Sequence, residues 1–300
     1  MKIVVALGGN ALVRRGEPLT EEVQVRNVKA AAASLHKIAR HHQIVVTHGN
    51  GPQVGLLALE SEAYKDVPPY GLDVLVAESQ GMIGFIVEQA LRNEIKDTPI
   101  ATVLTSTLVD ADDPAFAHPT KPIGPVYPKD VAARLAKKHH WQMATAGEGL
   151  RRLVPSPVPR AILQIEAIRL LVDAGVIVIC AGGGGVPVVA GESGELTGVK
   201  GVVDKDLASA LLAEALGADW LLLLTDVEQV QADWGTTHPR PIHEASVAEM
   251  RRHTFASGSM GPKVEAACRF VERTGRRAAI GALDDAEAML GGIKGTVIRA

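Results

Sequence analysis

Two lysines stand where a lysine works against the helix it opens. Lys205 lies in Asp204-Lys205-Asp206-Leu207, ahead of Leu207, Ala210, Leu211 and Ala215 at helical spacing. Lys263 closes Ser257-Gly258-Ser259-Met260-Gly261-Pro262-Lys263, where Pro262 suits the first helical position and the glycines free the backbone before it. A helix N-terminus carries partial positive charge, so aspartates there are ordinary dipole partners. An ammonium there is out of place unless it faces an anion. Capping explains Asp204 and Asp206 and leaves both lysines unexplained. Two ammonium groups beside free backbone N–H groups suit phosphoryl transfer, whose loose transition state needs spread positive charge and positioning.

Three apolar runs end in glycine-rich turns. Residues 3–7 lead into Gly8-Gly9-Asn10, residues 44–47 into His48-Gly49-Asn50-Gly51-Pro52, and residues 176–180 into Ala181-Gly182-Gly183-Gly184-Gly185. A buried strand that stops at glycines lets backbone N–H groups approach an anion closely. No segment has the Walker A or G-x-G-x-x-G spacing, so a different phosphate-binding arrangement is expected. Asn10 and Asn50 tolerate left-handed turns, and their amides can also hold a small planar acceptor. His48 reads as a structural strand-end residue. Thr225-Asp226, after the apolar run 220–224, reads as a nucleotide contact or as a turn cap. Lys121, in Thr120-Lys121-Pro122-Ile123-Gly124-Pro125, offers a cation on a stiffened loop.

Strand-like and helix-like segments alternate around these residues. Helical periodicity covers 21–41, 53–65, 73–94, 205–216 and 262–274, and strands are expected at 2–7, 44–47, 100–104, 176–180 and 220–225. Such alternation predicts a largely parallel sheet with helices on both faces and ligands beyond the carboxyl ends of its strands. Residues 109–159 break the pattern. Prolines 114, 119, 122, 125 and 128, then 155, 157 and 159, flank a short polar helix at 129–140, which predicts a protruding lid.

Three hundred residues suit one large α/β domain, and 47% apolar with only 3% aromatic residues predicts an aliphatic core. Lys plus Arg number 31 against 34 for Asp plus Glu, a net charge of −3 that argues against nucleic acid or an anionic membrane. Cys180 and Cys268 read as buried free thiols of a reducing compartment. Met1-Lys2 runs straight into a strand, and the apolar stretch 170–190 is interrupted by Asp173, glycines and Pro187. A cytoplasmic protein with no membrane span is expected. No metal site is expected either. The pairs His41-His42 and His139-His140 have poor ligand spacing, and Ser79 lacks a histidine at hydrolase spacing.

The blocks Ala6–Leu12, Thr47–Gly55, Pro119–Pro125, Ala181–Val188, Asp204–Ala208 and Gly258–Ala267 resemble the carbamate kinase family, in the same order and over residues 3 to about 274. That family belongs to the wider amino acid kinase superfamily. The resemblance implies an open three-layer αβα sandwich with a mainly parallel central sheet and a small protruding subdomain. It implies one domain over 1–300, with an acceptor half at 1–180 that includes the lid at about 109–159, and a nucleotide half at 181–300. It implies reversible phosphoryl transfer between ATP and carbamate, with Mg²⁺ held through the nucleotide phosphates. A cytoplasmic homodimer acting in arginine metabolism and run toward ATP is also implied.

Carried onto this sequence, Lys205 and Lys263 would stabilise the transferring group and Asp206 would orient them. Gly8, Gly9, Asn10, Gly49, Asn50, Gly51, Gly182, Gly183, Gly184 and Lys121 would hold phosphate and acceptor. Thr225, Asp226, Met260 and Gly261 would meet the nucleotide. Two departures bear on nucleotide packing and lid docking: Val230-Gln231 offers no aromatic, and the run 147–152 carries Glu148 and Leu150 where a basic residue and an aromatic are expected. Two other readings fit parts of the pattern, namely another acyl-phosphate-forming amino acid kinase and a non-catalytic sensor on the same fold.

Overall fold

Side chains alternate across a strand, so a buried strand that is apolar at every position must be covered on both faces. The computed structural model describes residues 1–300 apart from Arg15, Thr237, Ser257 and the side chain of Asn10. The chain opens with β1 (Lys2–Leu7), α1 (Glu21–Ala39), β2 (Gln43–His48), α2 (Gly51–Ala63), α3 (Leu72–Glu94), β3 (Ile100–Thr102) and β4 (Ser106–Val109). An excursion follows through β5 (Lys121–Tyr127), α4 (Lys129–His139), β6 (Gln142–Ala146) and β7 (Gly149–Val154), and returns in β8 (Pro159–Ile162). Next come α5 (Ile165–Asp173), β9 (Ile177–Ile179), β10 (Val186–Ala190), β11 (Leu196–Gly198), α6 (Lys205–Ala215) and β12 (Trp220–Thr225). The chain ends with β13 (Val230–Ala232), β14 (Arg240–Ile242), β15 (Glu244–Ser246), α7 (Val247–Met250), α8 (Met260–Thr274), β16 (Arg277–Ala282), α9 (Ala286–Leu290) and β17 (Thr296–Arg299).

The central sheet has the order β15-β17-β16-β12-β1-β2-β9-β3. It is parallel except where β17 runs antiparallel to β16. Val4, Ala6, Val45, Val178, Leu221 and Leu223 face a layer built on α6 and α8, with Leu212, Val264, Phe270 and Val271 buried in it. Ile3, Val5, Leu7, Ile44, Val46 and Leu222 face the opposite layer, where α1 and α3 supply Val28, Leu35, Ile83, Val87 and Leu91. This is an open αβα sandwich. By length and composition alone α3 could cross a membrane, but half of its most apolar window packs inside the fold.

A second sheet, β11-β10-β4-β8, carries the excursion, whose own strands form the antiparallel sheet β5-β7-β6. Ile123 and Val154 of the excursion are buried against Val54 and Ala58 of α2 and Leu75 of α3.

Two local expectations differ from the structure, and several further strands stand beside them. The strand expected at 100–104 ends at Thr102, because the chain turns there into the second sheet. The short strands β10, β11, β13 to β15 and β17 carry no period that sequence alone reveals, and the six-residue β16 also lies outside the expected strands. The helix expected from Pro262 begins at Met260, so Pro262 is its third residue rather than its first. Any first-turn position lacks an intrahelical N–H partner, so proline is accommodated there as well.

Candidate active site

Parallel pairing puts the carboxyl ends of β12, β1, β2 and β9 side by side in that order. Thr225-Asp226, Gly8-Gly9, Gly49-Asn50-Gly51 and Gly182–Gly184 therefore lie along one edge. Neighbouring turns are tied by backbone: Gly8 N–H donates to Leu224 O at 3.0 Å, and Gly49 N–H to Leu7 O at 3.3 Å. At about 4.8 Å per strand the row spans about 14 Å, room for a phosphate chain with its acceptor at one end. Gly9–Ala11 and Gly182–Gly184 wind into single 3-10 turns, and Gly51 opens α2, whose first N–H groups have no intrahelical partner. The backbone of Asn10 belongs to this edge, and its side chain lies outside the described part of the structure.

The charged centre sits above this edge. Lys205 Nζ pairs with Asp206 Oδ1, and Lys263 Nζ lies 3.2 Å from Asp206 Oδ2. One carboxylate thus holds both ammonium groups. Lys121 reaches in from β5 to Asp204 Oδ2 at 2.5 Å, while Asp204 Oδ1 caps α6 by accepting from the N–H groups of Asp206 at 2.9 Å and Leu207 at 3.3 Å. Three ammonium groups face two carboxylates, which leaves a net positive charge for an anion. Burial pushes the Lys205 ammonium below its usual pKa, against the pull of Asp206, and Lys263 adds to the lowering. Burial works to raise the Asp206 carboxyl, but the two ammonium groups outweigh it and hold that group well below the usual range.

Buried polar side chains fix the parts, and the sequence did not single them out for this role. Thr47 Oγ1 and Ser209 Oγ share a hydrogen bond of 2.6 Å, and Ser209 Oγ donates to Lys205 O at 2.6 Å. The end of β2 is thereby tied to the first turn of α6. Asn50 Nδ2 donates to Ser79 Oγ at 2.8 Å, and Ser79 passes a hydrogen bond on to Val76 O. Gln80 brackets the backbone of Thr105, whose hydroxyl accepts from Ala181 N–H at 2.9 Å and so holds the third glycine turn. Gly183 packs directly on Asn50: a Cβ there would stand 2.2 Å from the amide, and its φ is +61°. Only glycine suits that position.

His48 is fully buried, and burial lowers its imidazole to about 4, so the ring is neutral at physiological pH. Its Nδ1 lies 3.1 Å from Gly49 O. Thr225 and Asp226 line a cleft of about 400 Å³ with Ala11, Arg14, Asn27 and Leu283, on the α1 side of the edge. Met260 and Gly261 form the start of α8, one turn before Lys263. Cys180 and Cys268 are buried free thiols, and burial raises both well above the ordinary value. In the excursion, Arg152 stacks over Trp141 at 4.1 Å, and Trp141 stacks on His139 at 4.8 Å between ring centres.

Among the described residues no group of three or more histidine, cysteine or carboxylate side chains could cage a metal. Asp204 and Asp206 are already committed to lysines. The donor set fits a divalent ion that enters on a ligand's phosphates rather than one held by the protein alone.

Comparison with known proteins identifies the family. The amino acid kinase family model matches residues 1–282. Carbamate kinase from Haemophilus influenzae is 52% identical over 299 residues, covering 99% of this chain and 96% of that protein. The structure of Giardia lamblia carbamate kinase bound to citric acid superposes with a TM-score of 0.94 at 38% identity, covering 99% and 98% of the two chains. The same protein bound to AMP-PNP gives 0.90 at 38% identity, with the same coverage. The chain belongs to the amino acid kinase family, on its carbamate kinase branch.

Proposed function

We propose that this chain works as a carbamate kinase run from carbamoyl phosphate and ADP toward ATP. The reaction is reversible phosphoryl transfer: a β-phosphate oxygen of ADP attacks the phosphorus of carbamoyl phosphate, the bond from phosphorus to the carbamoyl oxygen breaks, and carbamate leaves with the electron pair. The observation that carries this reading is one buried carboxylate, that of Asp206, holding both Lys205 and Lys263 above a row of glycine turns. Two ammonium groups at that point oppose the charge that builds on the equatorial phosphoryl oxygens. Asn50, fixed by Ser79, offers a planar amide to the planar carbamoyl group. The turns at Gly8 and Gly49 supply N–H donors between the two ends. Neutral His48 adds no charge, so the lysines set the electrostatics.

ATP and ADP are the nucleotide substrates, taken up at the β12 and α8 side. Mg²⁺ enters on their phosphates and supplies further charge neutralisation when bound. A sensor role is not favoured, because both lysines are present and share one carboxylate. An amino acid acceptor is not favoured by relatives at half identity that are carbamate kinases.

The enzyme is read as a cytoplasmic homodimer of arginine catabolism. Supporting the dimer, β3 is an edge strand, and Phe85 and Leu104 beside it are 63% and 55% exposed. A monomer at micromolar concentration in sedimentation would overturn that part. A coupled assay of ATP formation tests the activity, with carbamoyl phosphate set against acetyl phosphate and glutamyl phosphate, with and without EDTA. Turnover is expected with carbamoyl phosphate and Mg²⁺. No ATP from that pair would end the reading.

A further inference from the structure

The excursion is seated on α2 at two places. Near the helix start, β5 crosses so closely that a Cβ on Gly55 would stand 2.0 Å from the Cα and 2.2 Å from the N of Gly124. No real Cβ occupies such a position, so Gly55 is required for the crossing. Gly124 itself has φ +70° and would bring a Cβ to 3.5 Å from the Gly55 Cα. Pro122 O runs 3.9 Å from where a Cβ on Gly51 would lie, and Ile123, fully buried, packs with Val54 and Ala58 between the glycines. At the other end of α2, Glu62 lies 3.3 Å from His139 of α4.

This seating has a consequence for charge placement. Lys121, whose ammonium meets Asp204, is three residues before Gly124 on the same strand. At about 3.3 Å per residue the glycine contact lies about 10 Å from the lysine backbone, with no turn between to absorb a shift. The same helix begins with Asn50 as its N-cap and Gly51 as its first residue. Lys121 and the acceptor turn are therefore carried by one body.

We propose that Gly55 is a positioning residue: its contact with Gly124 sets how far Lys121 reaches over the reacting phosphate. The proposal rests on the kinase reading for its kinetic arm only.

Gly55→Ala should lower kcat for ATP formation by about 10- to 10²-fold, the scale of an ångström-level misplacement. ADP affinity should stay within about twofold, and proteolysis within residues 109–159 should quicken. The decisive arm is a double-mutant cycle. In a Lys121→Ala background, adding Gly55→Ala should cost less than about twofold further. An equal loss in both backgrounds would overturn the proposal, and so would wild-type turnover of Gly55→Ala. Should that variant not fold, hydrogen exchange on the wild-type protein decides: β5 amides should be as protected as those of α2. Exchange in β5 that is orders of magnitude faster would sink the idea. Exchange and proteolysis need no turnover, so they stand even if the wild-type protein makes no ATP, a result that would strike the kinase reading alone.

Discussion

The starts of α6 and α8 place a lysine beside the same carboxylate by opposite means. At α6, Asp204 caps the helix through its side chain, and Ser209 and Thr47 hold the first turn from behind. The Lys205 side chain is only 9% exposed. At α8, Ser259 makes no side-chain cap, and the turn is closed by Ala256 O accepting from the N–H groups of Ser259 at 3.2 Å and Gly261 at 2.9 Å. Lys263 is tethered to the centre through Asp206. One lysine is part of the frame, and the other is brought to it by a backbone loop. Under the proposed function, the difference predicts fixed electrostatic stabilisation from Lys205 and a charge that accompanies the transferring group from Lys263.

Removing the fixed lysine should cost most. Lys205→Ala is expected to cut kcat by about 10²-fold or more, as for loss of one preorganised donor, and to lower the thermal midpoint as well, because it removes one partner of a buried ion pair. Near-normal turnover would break the comparison at once. Lys263→Met should cost less, about 10- to 10²-fold, with kcat and kcat/KM falling together and ADP affinity held, the pattern of a contact made only in the transition state. Weakened ADP binding with kcat intact would instead make Lys263 a uniform phosphate anchor.

The smallest effect concerns the carboxylate that joins the two starts. Asp206 has its pKa lowered on folding from 3.8 to about 2. Its contribution is therefore present above about pH 4 and is lost as pH falls toward 2. The gap in urea stability between wild type and Asp206→Asn should narrow as pH falls through that interval. A gap that stays flat with pH would mean that the two starts are not coupled through Asp206.

Much of this centre is legible in the chain because each part is local. An apolar run that stops at glycine marks a strand end, and Asp204-Lys205-Asp206 carries its cap and its charge within three residues. Parallel alternation then suffices to bring the turns to one edge. What stays hidden depends on partners far apart in sequence. Gly55 looks like any helix glycine until Gly124 is seen beneath it. Ser209 reads as a small helix residue, and Gln80 as a polar position on α3, until Thr47 and Thr105 meet them. The start of α8 lies two residues before the position that Pro262 predicts, because a backbone carbonyl, rather than a capping side chain, defines it. The strands of the second sheet, three to five residues long, are too short to show a period.

The central position of β1 also has a history during synthesis. Its residues pair with β2, made soon afterwards, and with β12, made roughly two hundred residues later. At 5–20 residues per second, one edge of the run Ile-Val-Val-Ala-Leu waits on the order of 10–40 s for its second neighbour. A nascent chain halted before Trp220 holds all three glycine turns, yet it presents an open apolar strand to other chains. Loss of soluble yield, rather than loss of turnover, is the first symptom to expect from changes that delay β12.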